Sequence, residues 1–132
     1  MSASGQLPVR TEQDVVLARQ AARQAAVACG LRLVDQTKLI TAASELARNA
    51  VVYGGGGTMS WSTVRDGMRQ GVRLEFVDQG PGIADIEQAL TDGWTSGNGM
   101  GLGLSGSRRL VDAFELESTP GKGTRVAITK WA

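Results

Sequence analysis

Four consecutive glycines, Gly54 to Gly57, divide this chain. A helix cannot be sustained through four residues that gain no side-chain contacts and lose the most backbone entropy on ordering. The hydrophobic pattern also changes period across them. Before the run, Thr11-Glu12-Gln13-Asp14 has the form of a capping box, Val15, Ala18, Ala22, Ala25 and Cys29 follow at helical spacing, and Gly30 supplies a stop. Asp35 is expected to cap a second helix whose apolar arc holds Leu39, Ile40, Ala43, Leu46, Ala47, Ala50 and Val51. After the run the period is two. Met59, Trp61 and Thr63 oppose Ser60, Ser62 and Val64, Asp66-Gly67 offers a turn, and Gly71 to Val77 puts Val72, Leu74 and Phe76 on one face. These two strands are expected to form a hairpin.

Residues 84 to 100 follow neither period and read as a long mobile loop with a short helical piece at Ile86 to Leu90. Loops of that length inside compact domains usually carry function. A third helix is expected from about Gly101 to Ala113, with Leu104, Leu110, Val111 and Phe114 inward. Two strands, Glu115 to Ser118 and Thr124 to Lys130, then close the chain around the Pro-Gly turn Thr119-Pro120-Gly121-Lys122-Gly123. The order implies an α+β two-layer sandwich, with helices on one face of a mixed, mostly antiparallel sheet, in one domain over residues 1–132.

Composition narrows the function classes. Fourteen Lys and Arg against thirteen Asp and Glu leave a net charge of +1, which gives no large electrostatic footprint for nucleic acid. Cys29 is the sole cysteine, so a disulfide framework is excluded and a reducing interior is expected. The start, MSASGQLPVR, lacks the apolar core of a signal peptide, and no apolar run is long enough to span a membrane. The expectation is a cytoplasmic protein without a membrane partner. Histidine is absent, which removes phosphotransfer through a histidine side chain.

The stretch GNGMGLGLSGSRRL, residues 97 to 110, concentrates five glycines ahead of a helix. Gly101 to Gly106 fits G-x-G-x-x-G, yet it follows a polar loop instead of a buried strand, and no long alternating domain comes after it. A Walker-type loop needs G-K-[ST], and Lys38, Lys122 and Lys130 all lie elsewhere. Two readings remain: a flexible loop with a glycine-packed helix start, and a backbone that approaches an anion closely at a helix start. Glu45 and Asn49, at i and i+4, share one face of the second helix, with Asn49 at the edge of the apolar arc. Asp78 ends its strand on the same face as Val72, Leu74 and Phe76, where a carboxylate is costly without a donor. Asp78-Gln79-Gly80-Pro81-Gly82 also satisfies turn chemistry. A ligand amine, such as that of adenine, is the donor that would turn this position into a binding site, with Gly80 and Gly82 keeping the slot open. The loop from Ala84 to Met100 would then be a lid.

Taken together, Glu45-Leu46-Ala47-Arg48-Asn49, Asp78-Gln79-Gly80-Pro81-Gly82-Ile83 and Gly99-Met100-Gly101-Leu102-Gly103-Leu104 resemble the N, G1 and G2 boxes of the GHKL (Bergerat-fold) ATPases and kinases, in matching order and spacing. The resemblance implies that Asn49 coordinates Mg²⁺, that Asp78 holds the adenine amine of ATP, and that Gly80, Gly82, Gly99, Gly101 and Gly103 line the nucleotide. It further implies that the Thr124 hydroxyl supports Asp78 and adenine. Histidine kinases of this superfamily need a phosphoacceptor histidine, and the gyrase, MutL and Hsp90-like members need further domains for which these residues leave no room. What remains is the anti-sigma-factor serine/threonine kinase group. ELARNAVVYGGGG and GMGLGLSGSRRLVDAFELES are most similar to the RsbT-type switch kinases of the stressosome, since Tyr53-Gly54 stands where anti-sigma factors commonly carry His-Gly.

The function implied is transfer of the ATP γ-phosphoryl group to a Ser or Thr of a STAS-domain, anti-anti-sigma-like protein, with Glu45 as general base. Arg48 can face phosphate, partner or solvent. The alternative is a nucleotide-responsive binding module that sequesters a sigma factor or activates a PP2C-type phosphatase. Labelling of a STAS partner separates the two readings.

Overall fold

The computed structural model describes residues 4–83, 90 and 104–132. Within them the chain runs β1 (Ser4–Val9), α1 (Glu12–Cys29), α2 (Leu33–Val52), β2 (Gly57–Asp66), β3 (Arg69–Asp78), α3 (Leu104–Leu110), β4 (Ala113–Thr119) and β5 (Gly123–Trp131). The lid expected over 84–100, Leu90 apart, lies outside the described residues, as do Trp94, Met100 and the glycines at 99, 101 and 103.

Helix α1 begins and ends where its sequence signals stand. The Thr11 hydroxyl accepts from the Asp14 N–H at 3.2 Å, and the Asp14 carboxylate accepts from the Thr11 N–H at 3.3 Å and the Arg10 N–H at 2.9 Å. These bonds satisfy donors that the first turn leaves without intrahelical partners. At the other end Gly30 takes a left-handed conformation, φ 84°, and its N–H reaches the carbonyls of Ala26 and Val27. Val15, Ala18, Ala22, Ala25, Ala26 and Cys29 are buried, and the small alanines let α1 lie close against α2.

Helix α2 departs from expectation at its start. Arg32 occupies the cap without a side-chain cap bond, and Asp35 sits inside the first turn instead of capping it. The Asp35 carboxylate is engaged by Arg32 and by Lys130, each at 3.6 Å. Its buried stripe, Leu39, Ala42, Ala43, Leu46, Ala47 and Ala50, faces the sheet.

The five strands lie in the order β1-β2-β3-β5-β4, and all four pairings are antiparallel. Strand β1 was not anticipated from Ser4-Gly5-Gln6-Leu7-Pro8-Val9, because Gly and Pro both argue against a strand. It occupies a sheet edge, where Pro is tolerated. Gly5 lies under the Trp61 ring, where any Cβ would collide. The helix-facing rows hold Val9, Met59, Val72, Leu74, Phe76, Val126 and Ile128, all at most 5% exposed.

The third helix is also shorter at its C-terminal end than the pattern suggested. It stops at Leu110, and Phe114 belongs to β4, where it pairs with Ile128. Asp112 explains the stop. Its N–H donates to the Thr129 carbonyl at 2.9 Å, and its carboxylate accepts from the Trp131 N–H at 2.8 Å. Residue 112 is thereby stitched to β5 and leaves the helical path.

Candidate functional site

The C-terminal end of α2, the glycine run after it, the end of β3 and the β4–β5 turn meet at one end of the sandwich. One lateral row crosses four strands there. Gly57 pairs with Asp78, Asp78 with Thr124, and Thr124 with Ser118, all on the face that the helices cover. Asp78 is half-buried, and its Oδ1 accepts from the Gly80 N–H at 2.9 Å, which closes the turn that follows β3.

Two close backbone approaches dictate glycine at this end. A Cβ on Gly54 would stand 2.5 Å from the Asp78 carboxyl carbon, and one on Gly80 would stand 2.6 Å from the Gly54 Cα. Side chains at either position would push the end of α2 away from the Asp78 turn. The reason for Gly80 is therefore contact between two chain segments, in addition to any room it leaves for a ligand. Gly82, at φ 76°, packs against the Thr119 carbonyl in the β4–β5 turn, and the Pro81 carbonyl accepts from the Gly121 N–H at 2.7 Å.

Glu45 and Asn49 stand one turn apart on α2, Glu45 exposed and Asn49 half-buried. The Asn49 carbonyl accepts from the N–H groups of Tyr53 and Gly54, at 2.9 and 3.2 Å. Asn49 is thus tied through Gly54 to the Asp78 turn. Arg48 is half exposed and lies 3.9 Å from Glu12, so it bridges α2 to the first turn of α1 at the surface. Among the described residues no group of three or more His, Cys, Asp or Glu side chains could hold a metal ion.

Ser118 escaped the sequence reading. Its Oγ accepts from the Ile83 N–H at 2.7 Å, lies 2.9 Å from Thr124 Oγ1, and donates to the Gly123 carbonyl at 3.2 Å. The signal available in the sequence was symmetry: positions 118 and 124 flank the Pro-Gly turn equally and carry two hydroxyls. A shallow recess of about 190 Å³ opens at this end of the sheet, lined in part by Asp78, Ser118, Lys122 and Thr124.

Residues 34–131 match the family described as histidine kinase-, DNA gyrase B- and HSP90-like ATPases. The chain belongs to this family. Membership in this ATPase family accounts for the α+β sandwich and implies use of ATP. The chain is 43% identical over 123 residues to the serine/threonine-protein kinase RsbT of Bacillus subtilis (strain 168), covering 93% of this chain and 92% of that relative. It is 34% identical over 95 residues to an anti-sigma F factor of Thermoanaerobacter sp. (strain X514), covering 69% of this chain and 66% of the relative. Among solved structures, the RsbU and RsbW domains of a Mycobacterium tuberculosis protein superpose with a TM-score of 0.66 at 20% identity, covering 98% of this chain and 32% of that longer one. At that identity the likeness shows the fold.

Proposed function

We propose that this protein is an ATP-dependent protein serine/threonine kinase that phosphorylates a STAS-domain partner as part of a partner switch. The observation that carries the reading is the meeting of an acceptor pair, Asp78 and Thr124, with the end of the helix that bears Glu45 and Asn49. The similarity to a serine/threonine-protein kinase over nearly the whole chain supports the class of reaction.

The residues present fit Mg²⁺-ATP. A carboxylate beside a hydroxyl suits a base that offers an amine, and Gly54 and Gly80 let the helix end close onto that carboxylate. Asn49 is the metal ligand, a sparse donor set that suits Mg²⁺, which keeps several waters and is held largely by the phosphates it accompanies. When bound, Mg²⁺-ATP supplies the phosphoryl group and the charge that positioning must control. Asp78 accepts from the base, with Thr124 beside it. Gly80 and Gly82 line the nucleotide, and Gly99, Gly101 and Gly103 do so from outside the described residues. Glu45, exposed one turn from Asn49, would take the proton of the acceptor hydroxyl as its oxygen bonds to the γ-phosphorus, while the bond from that phosphorus to the β,γ-bridging oxygen breaks and ADP leaves.

The test is incubation of the protein with γ-labelled ATP, Mg²⁺ and a STAS-domain protein. The expected result is stoichiometric label on one serine or threonine of the STAS protein. A STAS protein that binds in the presence of nucleotide yet takes up no label would favour the binding-module reading. That second reading draws on the relatives named anti-sigma F factor. It makes a sigma factor or a PP2C-type phosphatase the partner in place of a substrate.

A further inference from the structure

The Ser118 hydroxyl has one proton and two lone pairs. It meets three groups: the Ile83 N–H at 2.7 Å, the Gly123 carbonyl at 3.2 Å and Thr124 Oγ1 at 2.9 Å. The Ile83 amide can only donate, and the Gly123 carbonyl can only accept. Ser118 therefore gives its proton to Gly123 and receives one from Ile83, which leaves a single lone pair for Thr124. All three contacts are satisfied together in one arrangement alone, with the Thr124 O–H donating to Ser118. In the reverse arrangement Ser118 donates to Thr124, and the Gly123 carbonyl loses its bond.

This direction has a consequence one strand away. Thr124 is the register partner of Asp78, so the two side chains leave neighbouring strands on the same, helix-facing side. With its proton committed to Ser118, Thr124 Oγ1 can only accept from a ligand, and the Asp78 carboxylate can only accept. Two adjacent groups then require a donor. A purine with a 6-amino group supplies one, whereas a 6-oxo purine in the same pose brings an oxygen against two acceptors and carries its donor at N1 instead. Were Thr124 free to turn, its hydroxyl could donate to a 6-oxo group and soften that mismatch.

We propose that Ser118 is a specificity-determining positioning residue, which fixes the direction of the Thr124 hydroxyl so that the slot beside Asp78 admits 6-amino and rejects 6-oxo purine nucleotides. The inference rests on the nucleotide site proposed above. Ser118 acts through Thr124, and its bond to Ile83 also anchors the end of the turn that begins at Asp78.

The test is calorimetric titration of Mg²⁺-ATP and Mg²⁺-ITP into the unsubstituted protein, Ser118→Ala and Ser118→Thr. A site built to receive a donor discriminates strongly against a ligand that presents an acceptor at that position, so the unsubstituted protein should favour ATP by roughly 100-fold or more. Ser118→Ala should narrow the ATP-to-ITP ratio by about tenfold, close to one hydrogen bond's worth of discrimination. Ser118→Thr, which keeps the hydroxyl, should retain the ratio. Should the alanine variant fail to fold, Ser118→Cys keeps the bulk, weakens the hydrogen bonds and carries the same comparison. Equal weakening of ATP and ITP would reduce Ser118 to a structural prop and overturn the proposal, as would a ratio that does not move. Failure of the unsubstituted protein to bind either nucleotide would overturn the nucleotide reading itself, an outcome seen before any substitution is made.

Discussion

Glu45 and Asn49, proposed as base and metal ligand, stand one helical turn apart in unlike surroundings. Asn49 is half-buried and tied by its carbonyl to the end of α2, while Glu45 is exposed, where an acceptor side chain can approach. A base at this position would act on the acceptor hydroxyl without holding the nucleotide. Glu45→Ala should therefore leave Mg²⁺-ATP affinity within a factor of about two and lower phosphotransfer by roughly 10²–10⁴-fold, the usual worth of a positioned base. Parallel titration and single-turnover labelling check both halves, and unchanged turnover would remove Glu45 from the mechanism. Asp78 was legible in the sequence because strand alternation aims a carboxylate at an apolar face. Ser118 was not, because its role depends on a register across the Pro-Gly turn that no local pattern reveals.

At the scale of elements, a buried ion cluster joins the start of α2 to the end of the sheet. The Lys130 ammonium, on a side chain only 10% exposed, lies 3.6 Å from Asp35 and 3.4 Å from Asp112. Removing the cation would leave Asp35, 14% exposed, without its Lys130 partner in a poorly solvated space, while Asp112, 39% exposed, stays open to water. Lys130→Met should cost about 3 kcal/mol in denaturant unfolding, the lower end of the range for breaking a buried pair, because Asp112 retains some solvent. A loss under about 1 kcal/mol would show that the cluster is not a clamp. The same cluster accounts for two boundary errors in the sequence reading. Asp35 reads as a helix cap and Asp112 as a helix residue, since each is judged by its neighbours in sequence, while Lys130 and β5 determine where they lie. Helix α1 was read correctly because Thr11, Asp14 and Gly30 act locally. Strand β1 was missed because Pro8 is compatible with a strand only at an edge, and edge position is a property of the whole sheet.

The whole molecule presents two unlike faces. Helices cover one side of the sheet, and on the other an ion lattice runs across β3, β5 and β4, with Arg125 at 2.8 Å from Glu75 and 3.0 Å from Glu117, and Arg73 at 3.5 Å from Glu115. Among the described residues no helix is long and apolar enough to cross a membrane. The hydrogen bond from Arg125, and then its charge, hold the Glu117 carboxyl below the ordinary carboxylate range. A depressed folded-state value stabilises the fold above the unfolded-state value, and this contribution disappears as pH falls through the folded one. Glu117→Gln should thus melt slightly below the unsubstituted protein at neutral pH, with the gap closing in acid. A gap that is constant with pH would assign the effect to packing. Net charge was readable from sequence at this scale, whereas the ion lattice required the strand order.

Asp78 is the residue proposed to receive a nucleotide base at the end of the sandwich. Calorimetric titration of Mg²⁺-ATP into the unsubstituted protein and into Asp78→Asn tests this assignment most directly. Saturable binding is expected for the unsubstituted protein, and the substitution should abolish it while the fold, followed by circular dichroism, is retained. Equal affinity in the two proteins would contradict the assignment.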